Sequence, residues 1–250
     1  MWQFLDSGFQ TGSVNMQTDE SLALALGRGE GVPTVRVYAW APWALSLGWN
    51  QPMDDIRVEK AQSDGIDIVR RPTGGRAVLH ARELTYSVVM PLEGRSVSEI
   101  YRIVSQGLIE GVEDLGVKAS IETGNPSASA LYRGAACFVS AARFEIKANG
   151  KKIVGSAQRR YAGAHGEDVV LQHGSLLLGG EHKTIADYLV LPESECETLT
   201  TELRERSTDL ETILGRRITF DEAARAIRSG FEKAWGVTFQ PATILEAHFL

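Results

Sequence analysis

The chain has 250 residues, 43% hydrophobic and 23% charged, the balance of a soluble globular protein long enough for a real core. A formal net charge of -6 argues against nucleic acid as a partner, and no apolar run reaches the length of a membrane span. The two cysteines, Cys137 and Cys196, imply no disulfide framework, and the opening Met1-Trp2-Gln3-Phe4-Leu5-Asp6 lacks the basic stretch of a signal peptide, so a cytoplasmic location is expected.

Gly12 to Gly29 reads as a first helix, with Asn15 as a candidate cap and Met16, Leu22, Ala23 and Leu26 near helical spacing. Thr34 to Trp40 alternates as a half-buried strand does, and Pro42 breaks it. Ala44 to Trp49 reads as a second strand. Trp40, Trp43 and Trp49 are candidates for core packing, or for one wall of an apolar tunnel. Ile66 to Val69 is a strand leading into a turn, and Glu83 to Met90 is another, ended by Pro91. Ser96 to Leu115 is the clearest helix. Ile100, Ile103, Val104, Leu108, Val112 and Leu115 make one stripe, and Gly116 is its stop.

Residues 122–136 are rich in Gly, Ser, Asn, Pro and Ala and read as a loop that delivers Cys137. Asn149-Gly150 between strand-like runs signals a type I′ hairpin. In that register Lys147 faces Lys152 and Ile146 faces Ile153. Gln172 to Leu178 is a strand, and Thr219-Phe220-Asp221-Glu222 has the pattern of a capping box before a final helix carrying Ala223, Ile227, Phe231, Ala234 and Trp235. With no repeat and no long linker, residues 1–250 read as a single α+β domain, a mixed β-sheet flanked by helices, with 181–250 a mainly helical C-terminal part.

Two features carry chemistry. The first is the turn in Arg70-Arg71-Pro72-Thr73-Gly74-Gly75-Arg76-Ala77-Val78-Leu79-His80. Paired glycines let backbone come close to a ligand, and the arginines suit phosphate or carboxylate. The second is Cys137, a candidate nucleophile if a cation such as Lys152 lowers its thiol pKa. A straight strand over 137–147 would span roughly 33 Å, so a thiol–ammonium pair needs a bend, expected at Ser140-Ala141-Ala142. Cys196 lies among Glu193, Glu195 and Glu197, which would keep a thiol protonated. His80 and His173 read as hydrogen-bonded histidines near the ligand rather than catalytic ones. No metal-ligand spacing and no Walker-type or G-x-G-x-x-G phosphate loop is present.

The Arg70–His80 stretch resembles the signature of the lipoate ligase and octanoyltransferase superfamily. Three further segments fit it: Trp2–Glu20 (with Asp6-Ser7-Gly8, Asn15-Met16 and Asp19-Glu20), Lys152-Ile153-Val154-Gly155-Ser156-Ala157-Gln158, and Gln172-His173-Gly174-Ser175. The resemblance implies a mixed-sheet catalytic domain related to biotin ligases. Within the superfamily the chain looks most like the cysteine-dependent octanoyltransferases, with Ala136-Cys137-Phe138 matching the cysteine loop and Lys152 the lysine.

What the resemblance implies is transfer of octanoyl from octanoyl-acyl carrier protein, through a Cys137 thioester, to the lysine of a lipoyl-domain protein in lipoate biosynthesis. The acceptor would be the glycine cleavage H protein or a 2-oxoacid dehydrogenase E2. Arg71, Gly74, Gly75, Ala77, His80, Gly155, Ser156, Ala157, His173 and Gly174 would line the substrate site, with Cys137 and Lys152 catalytic. Arg71 and its neighbours would favour an acidic carrier or its phosphopantetheine arm. No cofactor or metal is expected, and the enzyme is expected to be a monomer. The alternative is an ATP-dependent lipoate or octanoate ligase working through an acyl-adenylate. Arg76, where such ligases usually have Gly, and a length that leaves little room for their accessory domain favour the transferase. A relative that takes octanoyl from another lipoyl domain is a further variant.

Overall fold

The structure, a computed structural model, describes residues 1–122, 145–164 and 166–241. The first half runs β1 (Gln3–Gln10), α1 (Gly12–Gly27), β2 (Thr34–Trp40), β3 (Ala44–Leu47), α2 (Val58–Ser63), β4 (Asp67–Arg70), β5 (Val78–His80), β6 (Glu83–Pro91) and α3 (Val97–Asp114). The second runs β7 (Ser120–Glu122), β8 (Glu145–Ala148), β9 (Lys151–Tyr161), β10 (Val169–Leu177), α4 (Glu193–Arg206), α5 (Leu210–Leu214), α6 (Phe220–Trp235) and β11 (Gln240–Pro241). Among the described residues the strands form a main sheet in the order β11-β1-β2-β6-β10-β9-β8-β7 and a small one in the order β4-β3-β5. β1 runs parallel to both neighbours while β2, β6, β10 and β9 pair antiparallel, so the expected mixed sheet is found.

The period of two along the central strands sorts their side chains onto two unlike faces. Val35, Val37, Leu84, Tyr86, Val88 and Leu176 join the large apolar core with α3 and α6. The alternate residues, Arg36 and Tyr38 on β2, Glu83, Thr85 and Ser87 on β6, and His173 and Ser175 on β10, are also buried, on the other face. β2 is therefore buried throughout rather than half-buried as its alternation suggests. Met16 of α1 and Ala44 of the small sheet pack on Tyr38 and Trp40 and close over the polar face. Tertiary cover, which strand periodicity cannot report, makes the difference.

α3 follows its sequence closely. The Ser96 hydroxyl accepts from Glu99 N and the Glu99 carboxylate takes Ser96 N, a complete capping box. Ile100, Val104, Leu108 and Val112 are fully buried. Each such side chain contributes about 1.5–3 kcal/mol by leaving water. α6 begins at Thr219, whose hydroxyl accepts from Glu222 N, and presents Ala223, Ile227 and Phe231 to the same core. The two helices touch through glycines. A Cβ on Gly230 would lie 2.2 Å from Gly111 N and 2.5 Å from Gly107 O, both backbone atoms. Gly230→Ala should cost about 1–3 kcal/mol through overpacking, read as a lower urea midpoint.

Several local expectations change. α1 is capped by Thr11, whose hydroxyl accepts from Val14 N, and Asn15 is buried instead, its Nδ2 donating to Ala39 O at 3.0 Å. β3 ends at Leu47, so Trp49 lies outside it. The Asn149-Gly150 turn is present with φ of 51° and 74°. Lys147 faces Lys152 as expected, but Ile146 pairs with Val154 rather than Ile153, through a shift of register beside Lys147. The shift places Ile153 and Val154 successively in one core cluster, as a bulge does. Gly155 to Arg160 continue β9. The C-terminal part is helical but also returns a strand, β11, which pairs with Gln3 and Phe4.

Candidate functional site

Between the polar face of the main sheet and the small sheet lies a cavity whose empty space, open mouth included, is about 460 Å³. Met16, Tyr38, Trp40 and Val78 give it apolar wall, and Lys152 lines it as well. The sequence motifs meet here from distant parts of the chain: Arg71, His80, Lys152, Gly155, Ser156, Ala157, His173 and Gly174 all line it. Pairing explains the convergence. Gly155 sits opposite Ser175 and Ala157 opposite His173 on β9 and β10, while Ser175 faces Thr85 on β6. Gly174 permits the close pairing, since a Cβ there would stand 2.3 Å from Gly155 O.

Other expected site residues are placed elsewhere. Gly74 and Gly75 form an exposed turn beyond the cavity lining, with Gly75 at φ +97°, and Gly48 packs so tightly beneath that a Cβ on it would meet Gly75 O at 2.0 Å. Ala77 is buried in the second apolar cluster, with Leu45, Leu47 and Leu79. Trp40 is in the cavity wall, whereas Trp49 is 53% exposed. Cys137, the loop before it and Ser140-Ala141-Ala142 lie outside the described residues.

Lys152 is 3% exposed and its ammonium donates to Glu145 Oε1 at 2.9 Å. Lys147, opposite Lys152 in the hairpin, pairs instead with Glu122. The Lys147 and Lys152 ammonium groups are thus each held by a carboxylate. The C-terminal part braces this lysine. Thr208 N donates to Lys152 O at 2.9 Å, and Ser207 bridges the same strand. The Ser207 hydroxyl also meets His182 Nε2 at 2.8 Å. Burial, helped by Lys183, pushes the His182 pKa down to about 4, so at neutral pH the ring is uncharged.

The arginines of the turn are bonded to backbone, and Arg71 also lines the cavity. Arg71 is buried and donates to the backbone carbonyls of Ser46, Gly74 and Arg76. Arg70 donates to those of Gly48, Trp49 and Gln51. Their guanidiniums hold the turn to the small sheet, because carbonyls left unpaired in such a loop would be costly.

Two carboxylates lie on the polar face. Asp19 accepts from Arg36 Nη1 at 2.7 Å, Tyr38 OH at 2.8 Å and Ser87 Oγ at 2.7 Å, with His173 Nδ1 at 3.1 Å. Burial alone would raise its pKa, but Arg36, His173 and Ser87 outweigh burial and hold it at about 2. Glu83 Oε1 accepts from Ser175 Oγ at 2.7 Å and Thr85 Oγ1 at 2.5 Å, with His80 Nδ1 at 2.8 Å. Burial again opposes ionisation, and the His80, Thr85 and Ser175 bonds still keep the Glu83 pKa below the ordinary range. Both histidines are hydrogen-bonded groups beside the cavity, and His80 stacks on Trp40 with centroids 4.0 Å apart. Sequence reading missed Arg36, Tyr38, Ser46, Glu83 and Thr85. The available signal was polar residues at every second position of strands without solvent-facing neighbours.

An α+β domain with a cavity on one sheet face, a lysine in its wall and a glycine turn beside it has the features of a small-molecule-binding domain. Residues 11–232 match the family model described as the lipoyl protein ligase A/B catalytic domain, and the chain belongs to that family. It is 40% identical over 252 aligned positions to Octanoyltransferase LipM of Symbiobacterium thermophilum, covering 98% of this chain and 90% of that protein. It is 38% identical to Octanoyltransferase LipM of a species of Exiguobacterium, covering 96% of this chain and 88% of that one. Among solved structures it shares its fold with the bipartite lipoate protein ligase of Thermoplasma acidophilum at a TM-score of 0.79 and 21% identity, over 98% of this chain and 88% of that one.

Proposed function

We propose that the protein is an octanoyltransferase of lipoate biosynthesis that carries octanoyl on Cys137 and delivers it to the lysine of a lipoyl-domain protein, with octanoyl-acyl carrier protein as donor. The observation that carries this reading is Lys152, a buried ammonium in the wall of an apolar cavity, in a chain that matches proteins named octanoyltransferase over nearly its whole length. The Cys137 thiolate attacks the thioester carbonyl, the carrier thiolate leaves, and it takes up a proton. The neutral acceptor amine then attacks the Cys137 thioester, the C–N bond forms as the C–S bond breaks, the proton lost from nitrogen passes to solvent, and the Cys137 thiolate is released. Lys152 stabilises the thiolate in both steps. The apolar walls hold the alkyl chain, at up to about 0.8 kcal/mol per buried CH₂. We read residues 1–250 as one cytoplasmic catalytic unit, since the C-terminal part braces the strand of Lys152. Among the described residues no helix is long and apolar enough to cross a membrane.

The ATP-dependent ligase is the competing reading. Against it stand Arg76, where such ligases usually have Gly, and the match over nearly the whole chain to proteins named octanoyltransferase. The test is incubation with octanoyl-acyl carrier protein without ATP, followed by intact mass. The expected result is a gain of one octanoyl group that is lost in Cys137→Ser. Transfer that requires ATP and survives Cys137→Ala would replace this reading with the ligase. Octanoylated lipoyl domain in place of the carrier protein tests the donor.

A further inference from the structure

The two buried carboxylates each lead, through a histidine, to the same arginine–glycine turn. From Asp19, 154 positions away in sequence, His173 Nδ1 is reached at 3.1 Å, and His173 Nε2 lies 2.7 Å from Thr73 Oγ1. From Glu83, His80 Nδ1 is reached at 2.8 Å, and His80 Nε2 lies 2.7 Å from Ser46 Oγ, to which Arg71 Nη1 donates at 3.1 Å. Thr73 and Arg71 flank Pro72, so one relay ends on each side of it. A carboxylate only accepts, so each Nδ1 must carry the proton and donate. In the neutral ring Nε2 is then the acceptor, and the Thr73 and Ser46 hydroxyls donate into it. Ser46 Oγ, already accepting from Arg71, has its own proton directed to His80 by the same logic.

We propose that His80 and His173 are positioning residues: Glu83 and Asp19 lock each ring as the Nδ1–H tautomer, and the two rings together fix the arginine–glycine turn against the acyl cavity. The anchors are built to be stiff. Asp19 is tied to Arg36, Tyr38 and Ser87, and Glu83 to Thr85 and Ser175. Thr85 Oγ1 also receives Trp40 Nε1 at 2.7 Å, and that indole is the ring stacked on His80. Trp49 N, just past β3, donates to Thr73 O at 2.9 Å, so Thr73 is held through its backbone on one side and through its hydroxyl by His173 on the other.

The kinetic part rests on the octanoyltransferase reading, whereas the tautomer part does not. In the full-length protein labelled with ¹⁵N-histidine, long-range ¹H–¹⁵N spectra recorded above the histidine titrations should show Nδ1 protonated and Nε2 bare for both rings. His80→Gln and His173→Gln supply the assignments. Asp19→Asn should shift the His173 signals and leave those of His80. Thr73→Val should lower kcat by about tenfold or more, with KM for the lipoyl domain within about twofold and the thermal midpoint near wild type. Thr73→Ser, which keeps the hydroxyl, should restore most of kcat. Nε2 protonated in either wild-type ring, wild-type kcat in Thr73→Val, or Thr73→Ser as slow as Thr73→Val would each overturn the proposal. A wild-type protein that transfers no octanoyl would overturn the reading of the reaction instead, and the spectra would still decide the relays.

Discussion

Lys152→Met should cut octanoyl transfer by about 10²–10⁴-fold, the range associated with loss of a positioned proton-handling or charge-stabilising group. Methionine preserves the unbranched stem, so the cavity wall keeps its packing while the ammonium is removed. The drop should appear in the rate of enzyme acylation, measured by rapid quench and intact mass, because that step needs Cys137 as a thiolate. Raising the pH toward the ordinary thiol pKa of about 8.5 should recover part of the lost acylation, since hydroxide then supplies the ionisation that Lys152 favoured. Acylation at the wild-type rate in Lys152→Met would remove this lysine from the mechanism. Glu145 provides the control: it loses its ion-pair partner at 2.9 Å, so Lys152→Met should be paired with Lys152→Met/Glu145→Gln to separate chemistry from stability.

The largest stability effect should come from Arg36→Met, expected to cost about 3–5 kcal/mol in chemical denaturation. Arg36 and Asp19 are 1% and 0% exposed, and removing the guanidinium leaves a buried carboxylate without its cation. Arg36 also donates to Asn15 Oδ1 at 2.8 Å and to Ser7 Oγ at 2.8 Å, so the loss reaches α1 and β1. Acid reports the same interaction with a definite sign. The Asp19 pKa is depressed from 3.8 to about 2, so its contribution is complete above pH about 4 and disappears as pH falls through about 2. At about 1.4 kcal/mol per unit, roughly 2–3 kcal/mol is at stake. In Arg36→Met the acid transition should move to higher pH. An unchanged acid midpoint would mean that Arg36 does not hold Asp19 ionised.

Local order was legible wherever a short pattern decides it. The α3 stripe, the Asn149-Gly150 turn and the α6 start at Thr219 are set by residues within a few positions of one another, and they appear where the sequence places them. The Arg70–His80 turn and the segments Lys152–Gln158 and Gln172–Ser175 were also visible, and residues from all three line one cavity. Cys137 could be named from sequence, and its placement lies outside the described residues.

Only the tertiary structure decided which way the polar groups point. Arg71 reaches Ser46 O because β3 lies beside the turn, a partner that no spacing within residues 70–80 encodes, while its bonds to Gly74 O and Arg76 O are local to the turn. The Ile153 register shift needs the pairing of β8 with β9. Asp19, His173 and Thr73 meet across separations of 154 and 100 residues. A hydrogen bond depends on distance and angle between two groups, whereas helical and strand periodicity depend on one chain segment alone. Which face was buried could be read from the sequence for α3; that both faces of β2 and β6 were buried, one of them polar, required the elements packed above them.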